Sequence, residues 1–208
     1  MKDLIIVGAG GMGRKLFPFL RELNDGRWQM QGFIDDDLHA LDGIRCDLSI
    51  IGTISEWKPQ ENQVFVMGIS SPHTKKIVAE KLLSRGAKFE TIVSKQAILG
   101  DYVEIGEGSV ILTPYNIECG ARIGRFVTIL GSTIALDGEI GDYATSTGFA
   151  NLTNAKIGQE VYIGSHAVIL ENLKVGDRAF ISVGSVVMQD VEADTQVFGY
   201  PARVVRRK

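Results

Sequence analysis

From residue 98 to residue 191 the chain carries an aliphatic residue at about every sixth position, often with a glycine directly after it. Ile105, Ile111, Ile117 and Ile123 belong to this series. On an α-helix six residues correspond to about 600°, so successive members would point in directions about 120° apart. Short strands joined by glycine-permitted corners instead put each member at the same place in its own strand. The pattern therefore predicts a stacked β-solenoid, in which no single turn buries its own apolar face.

The N-terminal part of the chain follows a different pattern, in which buried strands alternate with helices. Residues 3–8 are a continuous apolar run that ends in glycine, as expected for a parallel strand, and Leu16, Leu20 and Leu23 then follow at helical spacing. Two patterns predict two domains, which we place at residues 1–92 and 93–208. In the first domain we expect strands near 4–8, 29–35, 63–69 and 88–93, and a second helix over 73–86.

A glycine-rich turn lies between the first strand and the first helix. Gly8, Gly10 and Gly13 have the G-x-G-x-x-G spacing, and Asp35 follows the last of them by about twenty residues. In this context the turn lets a phosphate approach the helix N-terminus, and the acid suits a ribose hydroxyl. An NAD(P)-binding protein is one interpretation. The domain has room for only about four strands, however, and lacks a second mononucleotide-binding half.

Composition and charge exclude several classes. The net charge of −3 gives no electrostatic footprint for nucleic acid. The sequence has no apolar run near the ~18 residues of a membrane span and no signal peptide, so we expect a cytoplasmic protein. Cys46 and Cys119 lack metal-ligand spacing, and only three histidines are present. We therefore expect no metal site.

The repeat itself resembles that of the hexapeptide acyltransferases. The [Ile/Leu/Val]-Gly-x4 units end in a tail with Gly199, Pro201 and Ala202, similar to the G-x-P-A motif of that family. The resemblance implies a left-handed parallel β-helix with three strands per coil, here of about five coils, behind a Rossmann-like α/β domain. It also implies a homotrimer, and the solenoid's surplus of aromatic residues agrees with that assembly because interfaces collect them. These aromatics are Phe126, Tyr143, Phe149, Tyr162 and Phe180.

A narrower resemblance comes from GAGGMG, GFIDDD and the repeats together. This order is similar to the sugar O- and N-acyltransferases of the sialic acid and bacillosamine type. It implies a transferase that takes an acyl group from coenzyme A, with acetyl-CoA as the expected donor, and acts on a UDP- or CMP-linked sugar in surface polysaccharide or glycan synthesis. It also implies a role for the small domain, which would bind the nucleotide part of the substrate. The implied substrate-binding residues are Gly8, Gly10, Gly11, Met12, Asp35, Asp36 and Ser70.

In the family, coenzyme A lies in a groove between subunits and is held mostly by backbone amides beside small residues. The matching positions here are Gly148, Ser165, Ser182 and Gly184, with Val183 in the place of an alanine. Thr145 takes the place of a histidine that contacts the thioester. Arg203 and Arg206 are expected to meet the nucleotide phosphates.

The catalytic histidine of the family motif is missing. Its place falls on Leu136 or Asp137, because the repeat shortens by one residue between Ile129 and Ile140. Three interpretations stay open. In the first, Asp137 carries proton transfer, provided that its environment raises its basicity. In the second, His166 carries it, because an imidazole suits neutral pH. In the third, the chain binds its ligands without efficient catalysis, or it acylates an amine that is already deprotonated. A binding or scaffold protein for nucleotide sugars is thus the main alternative to the enzyme.

Overall fold

A computed structural model describes residues 1–207, and its N-terminal part is a small α/β domain. The elements are β1 (Lys2–Val7), α1 (Gly11–Leu23), β2 (Trp28–Ile34), β3 (Ile50–Gly52), β4 (Gln63–Met67) and α2 (Pro72–Leu83). The four strands form one parallel sheet in the order β3-β2-β1-β4. The chain therefore crosses from one side of β1 to the other, which creates a crevice at the carboxyl ends of β1 and β4.

One predicted strand of this domain is wrong and another was missed. Residues 88–93 do not complete the sheet: Phe89 forms a single bridge to Phe65, and Ile92–Val93 form a strand that pairs within the solenoid instead. The fourth strand is β3, which pairs with β2 at the edge of the sheet. Its three residues are too few to show a period-2 pattern in the sequence.

The rest of the described chain is a β-solenoid of short strands. Its elements are β5 (Ile92–Val93), β6 (Ile98–Leu99), β7 (Glu104–Ile105), β8 (Val110–Leu112), β9 (Asn116–Ile117), β10 (Arg122–Ile123), β11 (Thr128–Leu130), β12 (Thr133–Ile134), β13 (Glu139–Ile140), β14 (Thr145–Ser146), β15 (Asn151–Leu152), β16 (Lys156–Ile157), β17 (Tyr162–Ile163), β18 (Val168–Ile169), β19 (Lys174–Val175), β20 (Phe180–Ile181), β21 (Val186–Val187), β22 (Thr195–Gly199) and β23 (Ala202–Arg207).

These strands form the three faces of a prism. The contact sheet contains β5, β8, β11, β14, β17, β20 and β22 in parallel, with β23 antiparallel at its end. The mixed sheet contains β6, β9, β12, β15, β18 and β21, and the charged sheet contains β7, β10, β13, β16 and β19. Six strands in the mixed sheet correspond to six coils, one more than predicted. The fold class predicted from the repeat, a left-handed parallel β-helix behind a Rossmann-like domain, is confirmed.

The irregular steps of the repeat shorten two of the coils, but the strands stay in register. Ile92 pairs with Val110 and Val110 with Thr128, which gives coils of 18 residues. Thr128 pairs with Thr145 and Thr145 with Tyr162, so the next two coils are 17 residues long. Each shortened coil contains one of the two five-residue steps in the aliphatic series. The inward positions therefore stay stacked through the disturbed region.

The glycines after the inward residues have a different role from the one predicted. Gly106 and Gly141 do not have left-handed φ angles; a Cβ on either would lie 2.6 Å from a backbone nitrogen of the next coil. They are needed because adjacent coils pack too closely for a side chain there. The left-handed corners are instead occupied by larger residues, among them Asp137, Glu160 and His166, with φ between 55° and 58°.

The residues that point outward differ in polarity and charge from one face of the prism to the next. The charged sheet presents Glu104, Arg122, Glu139, Lys156 and Lys174 in register. The mixed sheet presents Ile98, Asn116, Thr133, Asn151, Val168 and Val186. The contact sheet is covered by the N-terminal domain over its first coils, where Val110, Thr128 and Thr145 are buried.

The N-terminal domain and the solenoid share an apolar core. Ile92, Val110 and Leu112 pack with the core of the small domain. Phe126 meets Phe89 edge to face at 4.9 Å and stacks on Tyr143 at 5.5 Å. Two of the aromatic residues expected to serve an oligomer interface are therefore used inside one chain.

Candidate functional site

A cavity of about 400 Å³ opens at the carboxyl ends of β1 and β4. This is the crevice at which parallel α/β sheets bind ligands. All seven residues predicted to bind the nucleotide sugar line it, together with Ser71 and Thr74 from the start of α2. The seven are Gly8, Gly10, Gly11, Met12, Asp35, Asp36 and Ser70.

The glycines of the turn serve two separate purposes. Gly8 has a left-handed φ of +94°, and a Cβ on Gly13 would lie 1.9 Å from the Gly8 carbonyl oxygen. These two glycines let α1 start close against β1. Gly10 and Gly11 have nothing within 4 Å of an added Cβ. Their backbone therefore faces open space at the N-terminus of α1, where a phosphate group would be stabilised by the helix dipole.

Asp35 and Asp36 are tied to the wall of this cavity. The Ala9 N–H donates to Asp35 Oδ2 at 2.7 Å, and the Asp37 N–H donates to Asp35 Oδ1 at 2.9 Å. The Ser55 N–H donates to Asp36 Oδ1 at 2.7 Å. Asp35 therefore links the glycine turn to the end of β2, and its carboxylate has a fixed direction at the cavity edge.

A second cavity, of about 460 Å³, lies between the start of α2 and the solenoid. It meets the first cavity at Ser71, which lines both. One wall is formed by Tyr162 and Phe180, whose rings stack at 4.7 Å on the contact sheet. Its remaining lining residues are Pro72, His73, Glu160, Arg178, Ala179 and Asp194.

Ionisable side chains from both domains meet at the mouth of the second cavity. The Lys76 ammonium donates to Glu160 Oε1 at 2.7 Å, and His73 Nδ1 lies 3.8 Å from Glu160 Oε2. Glu160 is 6% exposed, whereas the imidazole is 80% exposed. The hydrogen bond that Lys76 donates to Glu160 raises the pKa of Lys76. Glu160 is thus a buried carboxylate with one oxygen on a lysine and the other facing a histidine.

A buried lysine fixes α2 to the solenoid. Lys75 Nζ donates to Thr128 Oγ1 at 2.9 Å, to the Ala144 carbonyl at 3.0 Å and to Thr145 Oγ1 at 3.0 Å. Thr145 Oγ1 donates in turn to the Ser70 carbonyl at 2.7 Å. Burial lowers the pKa of Lys75 well below its ordinary value. The network holds Ser70, a residue of the first cavity, at a fixed place relative to the contact sheet.

Most of the predicted cofactor residues lie together along one edge of the prism, between the contact sheet and the mixed sheet. The His166 N–H donates to the Gly148 carbonyl, the Gly184 N–H donates to the Ser165 carbonyl, and the His166 ring stacks on Phe149 at 5.1 Å. Val183 is 60% exposed on the same edge. Ser182 accepts a hydrogen bond from Gln196. Arg203 and Arg206 lie on β23, at the end of the contact sheet.

The remaining two candidates lie elsewhere. Asp137 is exposed at the edge between the mixed and charged sheets, where its backbone N–H donates to the Cys119 carbonyl. Within one chain the structure does not bring Asp137 and His166 together. Thr145 is fully buried under α2, where its hydroxyl joins Lys75 and Ser70.

Among residues 1–207, no group of three or more His, Cys, Asp or Glu side chains is arranged to hold a metal ion. Nor does any helix over that range have the length and apolar character needed to cross a membrane.

Sequence reasoning missed Lys75 and Glu160. A signal for Lys75 existed, because Lys75, Ala79 and Leu82 have the i, i+4, i+7 spacing of one buried helix face. For Glu160 no comparable signal existed, since its partners on α2 are more than eighty residues away in sequence.

Comparisons with known proteins give matches for the N-terminal domain and for the fold of the whole chain. Residues 3–82 match the PglD N-terminal domain family. WeeI from Acinetobacter baumannii AYE is 28% identical, with a TM-score of 0.88 over 99% of this chain and 100% of that one. A search of curated proteins found no match.

Two further solved structures share the fold and were determined with ligands. The acetyltransferase domain of PglB from Neisseria gonorrhoeae FA1090, in complex with acetyl coenzyme A, is 23% identical with a TM-score of 0.87, covering 98% of this chain and 99% of that one. A mutant of perosamine N-acetyltransferase from Caulobacter crescentus, in complex with CoA and GDP-perosamine, is 17% identical with a TM-score of 0.88, covering 99% and 98%.

Proposed function

Since the chain carries a PglD N-terminal domain and has the fold of the hexapeptide-repeat sugar acyltransferases, we propose that it transfers an acyl group, most simply acetyl, from coenzyme A to an amino or hydroxyl group of a nucleotide-linked sugar. The observation that carries this proposal is the pair of adjoining cavities. One has the glycine turn and acidic residues suited to a nucleoside diphosphate, and the other joins it at Ser71 and opens onto the contact sheet.

The residues of the first cavity suit a nucleotide sugar. Gly10 and Gly11 leave room for phosphate oxygens at the N-terminus of α1, and Asp35 and Asp36 offer oxygens to a ribose or base. We expect a UDP- or CMP-linked sugar. GDP-perosamine in one neighbour adds guanine to the bases worth testing. Surface polysaccharide or glycan synthesis in the cytoplasm is the corresponding cellular setting.

We propose that coenzyme A binds along the edge where the predicted cofactor residues gather. Gly148 and Gly184 carry no side chain and Ser165 carries a small one, and the exposed Val183 side chain would narrow the path. Arg203 and Arg206 supply positive charge for phosphates on β23. When bound, the cofactor supplies the acyl thioester.

We further propose that the protein acts as a homotrimer. Asp137 and His166 lie on the two edges that flank the mixed sheet, so neither edge alone contains both candidate groups. A cyclic trimer that packs mixed sheets around its axis would bring one edge of each copy to the opposite edge of the next. The proposed cofactor groove and the candidate bases Asp137 and His166 would then be shared between copies.

Calorimetric titration with acetyl-CoA, and separately with UDP-, CMP- and GDP-linked amino sugars, tests the proposal. Binding of acetyl-CoA and of at least one nucleotide sugar is expected. Binding of the nucleotide sugar alone would favour the binding or scaffold protein. Fluorescence enhancement of NADH on mixing would instead support the dinucleotide-binding alternative that the glycine spacing also allows.

A further inference from the structure

We propose that Thr145 is a positioning residue for the nucleotide-linked sugar and acts through Ser70. This inference rests on the proposed function and gives Thr145 a different role from the thioester contact that the family resemblance implies. The Thr145 hydroxyl donates to the Ser70 carbonyl at 2.7 Å, and Ser70 lines the cavity at the glycine turn. A side chain of the solenoid therefore holds one wall of the nucleotide-sugar cavity directly.

The hydrogen bonds of Thr145 leave no proton for a thioester oxygen. Its side chain is buried under α2, where Oγ1 accepts a hydrogen bond from Lys75 Nζ at 3.0 Å. A threonine hydroxyl has a single proton to donate, and a carbonyl such as that of Ser70 can only accept. The proton of Thr145 is therefore used in the bond to Ser70.

The segment that contains Ser70 is also held on its other side. Residues 68–71 connect β4 to α2 and pack against the glycine turn, where a Cβ on Gly68 would lie 2.8 Å from Gly13 Cα. The segment thus has no room to move closer to the turn. The hydrogen bond at Ser70 fixes it from the side of the solenoid, so both of its neighbours determine its place.

The position of this segment matters because the two proposed ligands bind to different domains. The nucleotide-sugar cavity belongs to the N-terminal domain, whereas the predicted cofactor residues lie on the solenoid. A misplacement of about 1 Å between reacting groups can slow a reaction by about a hundredfold. Loss of the donor from a buried carbonyl is unfavourable, so without Thr145 the segment would shift towards another donor.

The first test compares two buried threonines that share one lysine. Thr128 lies one coil away from Thr145 on the contact sheet, and its Oγ1 also accepts from Lys75 Nζ, at 2.9 Å. Thr145→Val and Thr128→Val each remove one partner of Lys75, but Thr145→Val also removes the donor to Ser70. Thr128→Val is therefore the matched control.

Calorimetry measures the effect on binding. UDP-, CMP- and GDP-linked amino sugars are titrated into the unmodified protein, and the tightest binder is the probe. We expect Thr145→Val to weaken its affinity by about tenfold or more, and Thr128→Val to leave it within about twofold. Thr145→Ser, which keeps the hydroxyl, should stay within about threefold of the unmodified protein.

Acetyl-CoA provides the comparison that a general structural role would not reproduce. Its affinity should be the same for Thr145→Val and the unmodified protein, because Thr145 does not contact the cofactor. In turnover, the KM for the nucleotide sugar should rise by about tenfold while the KM for acetyl-CoA stays constant. Weaker binding of acetyl-CoA with unchanged binding of the sugar would overturn the inference and support the thioester contact.

The remaining outcomes separate this inference from the proposed function. An unmodified protein that binds none of the three nucleotide sugars would overturn the proposed function, and this inference with it. If the unmodified protein binds one of them, equal affinities in Thr145→Val and Thr128→Val would overturn the role of Thr145 alone, because the bond to Ser70 would then have no effect of its own.

A second variant keeps the test decisive if Thr145→Val does not fold, which circular dichroism reports. In Thr145→Cys a weak S–H donor replaces the hydroxyl in a side chain of similar size. Its affinity for the probe should be at least about threefold lower than that of Thr145→Ser. Equal affinities in these two variants would contradict a positioning role for the hydroxyl.

Discussion

At the scale of single residues, Lys75 is the most unusual group in the molecule. It is fully buried, and its three hydrogen-bond partners are two hydroxyls and a carbonyl, none of which carries a charge. Burial disfavours the charged form, which lowers the pKa of Lys75. Lys75 therefore links the two domains, but burial of its charged form lowers the free energy of unfolding at pH values where the buried amine is protonated.

We predict that the stabilising effect of Lys75 grows with pH. Between the lowered pKa of the folded state and the ordinary value of 10.5, the unfolded chain binds more protons at this position than the folded chain does. The free energy of unfolding therefore rises with pH, relative to that of Lys75→Met, until about pH 10.5. Urea unfolding of both proteins from neutral pH to about pH 10 measures this difference.

Lys76, the neighbouring lysine, serves as a control because its pKa is shifted in the opposite direction. The pKa of Lys76 is raised by Glu160, so its contribution is complete below 10.5 and is lost as the pH rises through the folded-state pKa. Lys76→Met should therefore show a constant difference from the unmodified protein over the same range. A constant difference for Lys75→Met as well would contradict the account of Lys75.

The sequence alone predicted the glycine turn at one end of the site, but not the contact between α2 and the solenoid at the other end. The spacing of Gly8, Gly10 and Gly13 was enough to predict the turn, because few conformations suit that pattern after a strand. The approach of His73 to Glu160 could not be predicted. It depends on the angle at which α2 lies on the contact sheet, and a one-turn shift of that helix would remove it.

At the scale of elements, the glycines of the turn between β1 and α1 have different roles: one is needed for folding and another leaves space for a ligand. A Cβ on Gly13 would overlap the Gly8 carbonyl oxygen at 1.9 Å, whereas a Cβ on Gly10 would meet nothing within 4 Å. The two positions differ by three residues and belong to the same motif. They should nevertheless respond to the same substitution in different ways.

We predict that Gly13→Ala lowers the free energy of unfolding by about 1–3 kcal/mol or more, because α1 must move away from β1. Gly10→Ala should cost less than about 1 kcal/mol yet weaken nucleotide-sugar binding by tenfold or more (about 1.4 kcal/mol), since its methyl group would occupy the phosphate position. Thermal unfolding and calorimetry measure the two effects. Tight binding by Gly10→Ala would argue against phosphates at this turn.

The solenoid shows why a repeat predicts a fold better than it predicts the details of that fold. The six-residue recurrence predicted the stacked strands, because only a stack buries every member of the series. It did not reveal that Gly106 and Gly141 serve close coil packing while Asp137 and Glu160 occupy left-handed corners. That distinction depends on contacts between coils about eighteen residues apart.

At the scale of the whole molecule, the three faces of the prism differ in what they can contact. The contact sheet is partly covered by the N-terminal domain, and the charged sheet carries a ladder in which Glu139 pairs with Lys156 at 3.2 Å. The mixed sheet is the remaining face, and Ile98 on it is 60% exposed. It is therefore the face on which we expect copies of the chain to pack.

We predict a sedimenting species of three times the 22.7 kDa chain mass. Val168→Lys on the mixed sheet should dissociate it, because a charge would be buried in the interface. Lys174→Glu on the charged sheet is the matched control and should leave the assembly intact. An unmodified protein that sediments as a monomer would remove the shared cofactor groove from the account.

The central claim is that the chain transfers an acyl group from coenzyme A to a nucleotide-linked sugar bound in the cavity at the glycine turn. The most direct measurement is mass spectrometry of a nucleotide-linked amino sugar incubated with the protein and acetyl-CoA. The account predicts a product heavier by one acetyl group, together with an equal amount of free coenzyme A thiol. Recovery of both ligands unchanged, under conditions where calorimetry shows that both bind, would contradict it.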